Sequence, residues 1–246
     1  MSHKNVTMLD PKIIFEDTHL IVLSKPAGLL SQGDSSNDQN LVDWLRAYLG
    51  RNYVGLIHRL DRNTSGIMVI AKRTKSAKRL TESLQNKELK RSYLAWVDGC
   101  LTQTEHWEHH LTKNPEKNIT SVKSTPSPTT KRSSLTANPI LSGIYHGTPA
   151  CLIQFILETG RSHQIRAQSS FQGHPILGDN KYGSKHKTNR RLLLHSFNVQ
   201  IPHPMSNEIL YFESPLDSEM NDIKLKLTEI NHFNKIIQFK KLTSTT

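Results

Sequence analysis

Cysteine is scarce in this chain: two in 246 residues, Cys100 and Cys151, far apart in sequence. That excludes a disulfide framework and makes a reducing compartment, the cytoplasm, the simplest setting. Long apolar runs are absent. None approaches the ~18 residues that a membrane-spanning helix needs, and the opening MSHKNVTMLDPK lacks the apolar core of a signal peptide. No segment has the large apolar face of a membrane-surface helix. No internal repeat and no dinucleotide-type glycine loop is present. Acidic residues are few: 21 Asp plus Glu stand against 32 Lys plus Arg, a formal net charge of +11.

What is present points to a polyanion as partner. The cations are spread along the chain, at Lys72, Arg73, Lys75, Lys78 and Arg79, at Lys87, Lys90 and Arg91, at Lys131 and Arg132, and at Lys185, Lys187, Arg190 and Arg191. Spread charge suits a long groove better than a detachable basic tail, so nucleic acid is the expected partner.

Residues 13–15 and 20–23 read as strands around an Asp17-Thr18-His19 turn, and Lys25-Pro26-Ala27-Gly28 breaks the second. Residues 41–49 carry Leu41, Trp44, Leu45 and Tyr48 at helical spacing and stop at Gly50. A β-branched strand over 67–71 is followed by a helix that Thr74 can cap, with Ala77, Leu80 and Leu84 inward. Residues 93–97, 151–157, 192–201 and 209–212 read as strands, 224–230 as one more, and 162–171 as a helix. Residues 113–139, rich in Lys, Ser, Thr, Pro and Asn, read as a long loop or a weak hairpin. Strands outnumber helices without alternating strictly with them. This predicts α+β with a largely antiparallel or mixed sheet, in a single domain over 1–246 with its core at about 13–230.

Two constellations carry chemistry. In the first, His58-Arg59-Leu60-Asp61-Arg62-Asn63-Thr64-Ser65-Gly66, Asp61 stands between two arginines. A carboxylate among cations has its charged form favoured, as a nucleophile or base requires; the plain alternative is a turn with a surface ion pair. In the second, Gly160-Arg161-Ser162-His163-Gln164-Ile165-Arg166, Thr159 or Ser162 can cap a helix on which His163 and Arg166 share a face. The free N–H groups there, with Arg161 and Arg166, make an anion site.

Together and in this order, these segments resemble the RluA-type pseudouridine synthases. The first matches that family's HRLDxxTSG signature and the second its GR[TS]HQ[IL]R signature. His174-Pro175-Ile176-Leu177-Gly178-Asp179 with Tyr182-Gly183 is similar to its GHPILGD…YG stretch, and Lys25-Pro26-Ala27-Gly28 to its KPxG element. Leu193-Leu194-His195-Ser196 resembles its LHA element, and Arg91-Ser92-Tyr93 stands where the family often has Lys-x-Tyr. The likeness runs from about residue 13 to 212. It implies a pseudouridine synthase fold: a curved, mainly antiparallel mixed sheet with a central RNA-binding cleft flanked by helices. A separate N-terminal RNA-binding module is not expected, since about a dozen residues precede the first strand.

The resemblance makes Asp61 the essential carboxylate, Arg166 its partner, and Tyr93 a stacking or proton-accepting group beside the uracil. It puts His58, Arg59, Arg62 and Thr64 of the first motif against the substrate. Arg161, His163 and Gln164 of the second join them, with Leu193 or Leu194 as apolar wall. Uridine isomerises to pseudouridine without redox change or an external group, so no cofactor is implied. The RNA, ribosomal or transfer, is left open, and a monomer is expected. Another class of reading is an RNA-binding protein of this fold without catalysis, against which the retention of Asp61, Tyr93 and Arg166 speaks. A hydrolase would need a second carboxylate, for which Glu158 is poorly placed. His106, His109 and His110 lack the companions of a recognisable zinc spacing, so no metal is expected, and Cys151 reads as a core residue.

Overall fold

Strand-forming runs dominate the chain, and in the computed structural model eleven of them pair into one sheet. The structure describes residues 9–36, 38–123, 125–186 and 191–226. In chain order the elements are β1 (Lys12–Glu16), β2 (Leu20–Lys25), α1 (Leu41–Leu49), β3 (Gly55–Leu56), β4 (Ser65–Ala71), α2 (Thr74–Gln85), β5 (Lys90–Asp98), β6 (Glu105–Asn114), β7 (Ile119–Lys123), β8 (Lys131–Tyr145), β9 (Thr148–Leu157), α3 (Gln164–Phe171), a single 3₁₀ turn (Asn180–Tyr182), β10 (Leu194–Pro202), β11 (Ile209–Glu213) and α4 (Ser218–Lys226).

Strand order across the sheet is β1-β2-β4-β10-β5-β9-β8-β6-β7, with β11 on β10 and β3 on β4. Every pair is antiparallel except β4 with β10, so the expected α+β, mostly antiparallel mixed sheet is what forms. The parallel contact is short: His195 faces Ser65, Ser196 faces Gly66, and then the strands part. Gly66 makes it possible. Its φ is +107°, and a β-carbon there would stand 2.1 Å from the Ser196 carbonyl oxygen. Beyond Gly66 the free edge of β4 takes the Nε2 of His58, which accepts the Val69 N–H at 3.2 Å, and then pairs with β3.

β2 and β4 are buried on both faces and read accordingly as nearly unbroken apolar runs. One face joins Leu23, Met68, Tyr93, Ala95, Phe155 and Leu194 in the main core, which Leu41 and Leu45 of α1 and Ile165 of α3 cover. On the opposite face α2 lays Leu80, with Ala77 and Leu84, over Val22, Val69 and Val199. A third cluster packs Trp96, Leu152 and Leu193 under Met220 and Ile223 of α4.

α1 spans the expected residues because both ends are local: the Asn40 Oδ1 accepts the Asp43 N–H at 3.0 Å, and Gly50 closes the helix. Tyr48 is exposed and stacks on Trp44 at 5.1 Å. Four expectations are corrected. Thr74 is the first helical residue of α2, and Arg73 precedes it with no side-chain cap. Neither Thr159 nor Ser162 caps α3, which starts behind His163 in left-handed conformation (φ +51°).

The third correction is to the long-loop alternative for residues 113–139: the hairpin alternative forms, from the end of β6 and β7, and the first part of the long β8 follows it. The segment's Ser and Lys content hid the pairing. Buried Ser133 and Ser134 are accommodated because their hydroxyls bond to the His109 carbonyl and the His106 ring. Pro139 falls at a register shift, where a missing N–H does little harm. Last, Lys224 begins no strand, since α4 runs through 226, and 227–230 lie outside the described residues.

Candidate active site

The loop between β3 and β4 presents Asp61, and its two neighbours are pinned from below. Ser31 accepts the Leu60 N–H at 3.1 Å and donates to the Leu60 carbonyl at 2.6 Å. The Arg62 carbonyl accepts from the Gly28 N–H at 2.8 Å and from the Lys25 ammonium at 3.1 Å. Lys25 also donates to the Pro26 and Leu29 carbonyls at 2.9 and 2.8 Å. It is wholly buried, which pulls its pKa down to about 7, against the pull of Asp61 and with the push of Arg191. The KPAG turn thus clamps the backbone on which Asp61 rides, and Thr64 closes it with an N–H bond to the Asp61 carbonyl at 3.1 Å.

Arg166 meets Asp61 from the first turn of α3. Its NH1 donates to Asp61 Oδ2 at 3.0 Å. Its Nε and NH2 donate to Oδ2 and Oδ1 of Asp179 at 2.6 and 2.9 Å, a side-on pair that is almost fully buried. Burial disfavours the guanidinium charge, but the two carboxylates outweigh it and raise the Arg166 pKa. Arg166 is therefore a charged strut between Asp179 and Asp61. Of the anion site expected at this helix start, Arg166 is taken by the protein's own carboxylates and the Arg161 N–H by the Gln164 side chain.

Tyr182 underpins the same corner. Its ring lies 4.8 Å below the Arg166 guanidinium. Its oxygen accepts the Thr120 N–H at 2.8 Å and lies 2.9 Å from His163 Nδ1. Within this network the phenol donates to Nδ1, which leaves the imidazole proton on Nε2, 3.7 Å from Asp61 Oδ2. Burial lowers the His163 pKa, with Asp61 opposing and Arg166 adding, so the ring is neutral at pH 7.

Asp61, Arg166 and His163 come together as the motifs suggest. Tyr93 is buried in the apolar cluster that also holds Leu60, Ile165 and Leu194. Leu194 shares that face, whereas Leu193 points to the opposite one, beside Trp96 and Met220. Arg59, two residues before Asp61 in the chain, is exposed.

Other expected substrate contacts are buried or engaged by partners within the protein. His58 is buried at the edge of β4, with its pKa pulled down to about 3 by burial and by the charge of Arg91. Gln164 is buried, accepting from Thr159 Oγ1 and the Arg161 N–H and donating to the Ser134 carbonyl. Thr64 is buried in its turn. Arg62 is drawn to Asp38 at 2.7 Å and to the Gly28 carbonyl, so it does not flank the Asp61 carboxylate. Arg161 donates its Nε to the Arg132 carbonyl at 3.1 Å while staying exposed. Arg191 is no groove cation: it is buried against Asp217 and Glu219, and Lys187 and Arg190 lie outside the described residues. His106 and His109 lie on opposite faces of β6, and among the described residues no three His, Cys, Asp or Glu gather as a metal site would need.

Sequence reasoning missed Lys25, Ser31, Asp179 and Tyr182 as parts of the site. Three of them stood in motifs already quoted, but no spacing tells that a buried Asp thirteen residues after an Arg folds back onto it.

Residues 19–171 match the family model described as RNA pseudouridylate synthase. The chain is 35% identical over 242 residues to the ribosomal large subunit pseudouridine synthase C of Haemophilus influenzae, covering 91% of this chain and 71% of that one. The protein of the same name from Escherichia coli K12 is 30% identical over 247 residues, with 91% and 72% covered. Among solved structures, human RNA Pseudouridylate Synthase Domain Containing 1 superposes with a TM-score of 0.74 at 22% identity, covering 91% of this chain and 92% of the other.

Proposed function

The chain belongs to the RNA pseudouridylate synthase family, and on that premise we propose that it acts on large-subunit ribosomal RNA and works at Asp61. It is an isomerase that converts uridine to pseudouridine in RNA. The choice of RNA is supported by the names of the two bacterial relatives. The choice of residue rests on one observation: Asp61 is held by Arg166, which Asp179 fixes from behind.

The reaction breaks the bond between the base nitrogen and the sugar carbon. It turns the base and joins that sugar carbon to carbon-5. One proton leaves carbon-5 and one is gained at the freed nitrogen, so composition is unchanged. The target base has to leave its stack to enter the cleft. Asp61, aimed by Arg166, serves as the carboxylate at the reacting sugar and base. Tyr93 and Leu194 share the apolar face that receives the flipped uracil. His163, neutral, presents its Nε2 proton toward Asp61. Arg59 and the surface lysines supply phosphate contacts. Retention of Asp61, Tyr93 and Arg166 together favours an active enzyme over an inactive RNA binder.

The test uses purified protein, unmodified large-subunit RNA or transfer RNA, and a chelator. The large-subunit RNA keeps its mass, while one nucleoside becomes separable from uridine by chromatography. Released uracil, added mass or a shortened chain would overturn the reaction. A strict need for divalent metal beyond folding the RNA would overturn its cofactor-free course, and modification of transfer RNA alone would overturn the choice of RNA.

A further inference from the structure

Three arginines among the described residues are buried: Arg91, Arg166 and Arg191. Two are neutralised in place. Arg166 binds Asp61 and Asp179, and Arg191 binds Asp217 and Glu219. Arg91 has no such partner: among the described residues its guanidinium makes no hydrogen bond and no ion pair. Its Nε is sealed from solvent and unpaired, whereas NH1 and NH2 are not sealed. The acidic residue nearest in sequence to the loop it touches, Glu158, is engaged by Lys87 at 3.6 Å and His106 at 3.7 Å. The ring that faces Arg91, His58, is neutral and bonded to the Val69 N–H.

A buried charge without a counter-charge is costly, so the position is built for something that arrives from outside. Its surroundings agree. Arg91 lies two residues before Tyr93 and so on the same face of β5, roughly 7 Å along the strand. Its guanidinium is seated against Gly160, three residues before His163, which reaches Asp61. A β-carbon at Gly160 would stand 2.9 Å from Arg91 NH2 and 3.4 Å from NH1, so the loop keeps a glycine where the guanidinium needs its room.

We propose that Arg91 is a substrate-binding residue whose planar N–H fork takes a phosphodiester of the RNA beside the target uridine. The proposal rests on the reading of the Asp61 cleft as the reaction site. A guanidinium presents parallel donors that match two phosphate oxygens, and the phosphate supplies the full negative charge that the protein withholds here. A neutral uracil edge does not.

The test is a cycle on an RNA whose target uridine has been mapped. Single uncharged methylphosphonates replace each phosphate flanking that uridine in turn, and binding is measured for the parent and for Arg91→Gln. At one position the methylphosphonate weakens the parent by about tenfold or more. Arg91→Gln weakens the unmodified RNA comparably, and the two losses do not multiply. The salt dependence of the variant loses about one phosphate's worth of slope, roughly 0.7–0.9. Gly160→Ala, which keeps the charge but crowds it, also weakens binding. Parent-like binding by Arg91→Gln, or losses that multiply at every position, would overturn the proposal. If Arg91→Gln does not fold, Arg91→Lys runs the same cycle, and failure of both to fold makes Arg91 structural and overturns it. Asp61→Asn is the separate control: it keeps the methylphosphonate sensitivity without turnover, whereas turnover by Asp61→Asn sinks the reading of the site and leaves the Arg91 cycle to be judged on its own.

Discussion

Asp179 grips the Nε edge of Arg166 with two hydrogen bonds, at 2.6 and 2.9 Å, and leaves only NH1 for Asp61. The pair is nearly inaccessible to water, so the guanidinium cannot swing away without leaving a carboxylate stranded. Asp179→Asn is expected to destabilise the fold by about 3–5 kcal/mol in urea unfolding, the range for breaking a buried pair. It also lowers turnover at temperatures where the variant is folded. A variant as stable as the parent would show that Asp179 is dispensable to Arg166.

Arg166→Lys keeps the charge and loses the fork that serves two carboxylates at once. The expected result is a large fall in kcat with RNA affinity nearly unchanged, measured by single-turnover kinetics beside a binding titration. Normal turnover would reduce Arg166 to a phosphate contact or a spare charge.

Asp61→Asn is expected to abolish turnover while leaving the melting temperature and most of the RNA affinity in place. Nucleoside chromatography after a long incubation checks it. Residual activity above ~1% of the parent would remove Asp61 from its role, because a positioned acid or base contributes ~10²–10⁴-fold.

His58 gives stability a slope on the acid side. Its folded pKa, about 3, lies below the ordinary 6.5, so the unfolded chain binds the extra proton between those values. Stability from this group is complete above pH 6.5 and is lost as pH falls toward 3, by up to about 1.4 kcal/mol per pH unit. The lone pair on Nε2 that accepts the Val69 N–H is the one a proton would take. His58→Gln, which can still accept that N–H, should show a flatter decline in urea midpoints between pH 7 and 4.5. Equal slopes would place the titration elsewhere.

Gly66→Ala would push a methyl group into the Ser196 carbonyl at a backbone angle unfavourable to alanine. A loss of about 3 kcal/mol or more is expected from strain and overpacking together. A melting temperature within a degree or two of the parent would show that β4 and β10 can part there freely.

Much of this was legible in the chain alone. Apolar runs at 20–23 and 67–71 announce buried strands, and helical spacing up to Gly50 marks α1, because these preferences act over one to four residues. The ordered motifs around Asp61 and Arg166 identified the reaction class through their resemblance to the RluA-type signatures, which are written along the chain. Which charge meets which was not legible. Arg62, one residue from Asp61, turns to Asp38, while Arg166, 105 residues away, holds the carboxylate. Leu193 and Leu194 are adjacent in sequence, but Leu194 opens β10 and joins the main core while Leu193, just before the strand, packs in the opposite cluster, and only the register with β5 says which face is the cleft. The Lys- and Ser-rich stretch before Pro139 became strands because neighbours distant in sequence satisfied its buried hydroxyls. Coulomb and hydrogen-bond energies depend on separation in space, and in this protein the sheet sets that separation.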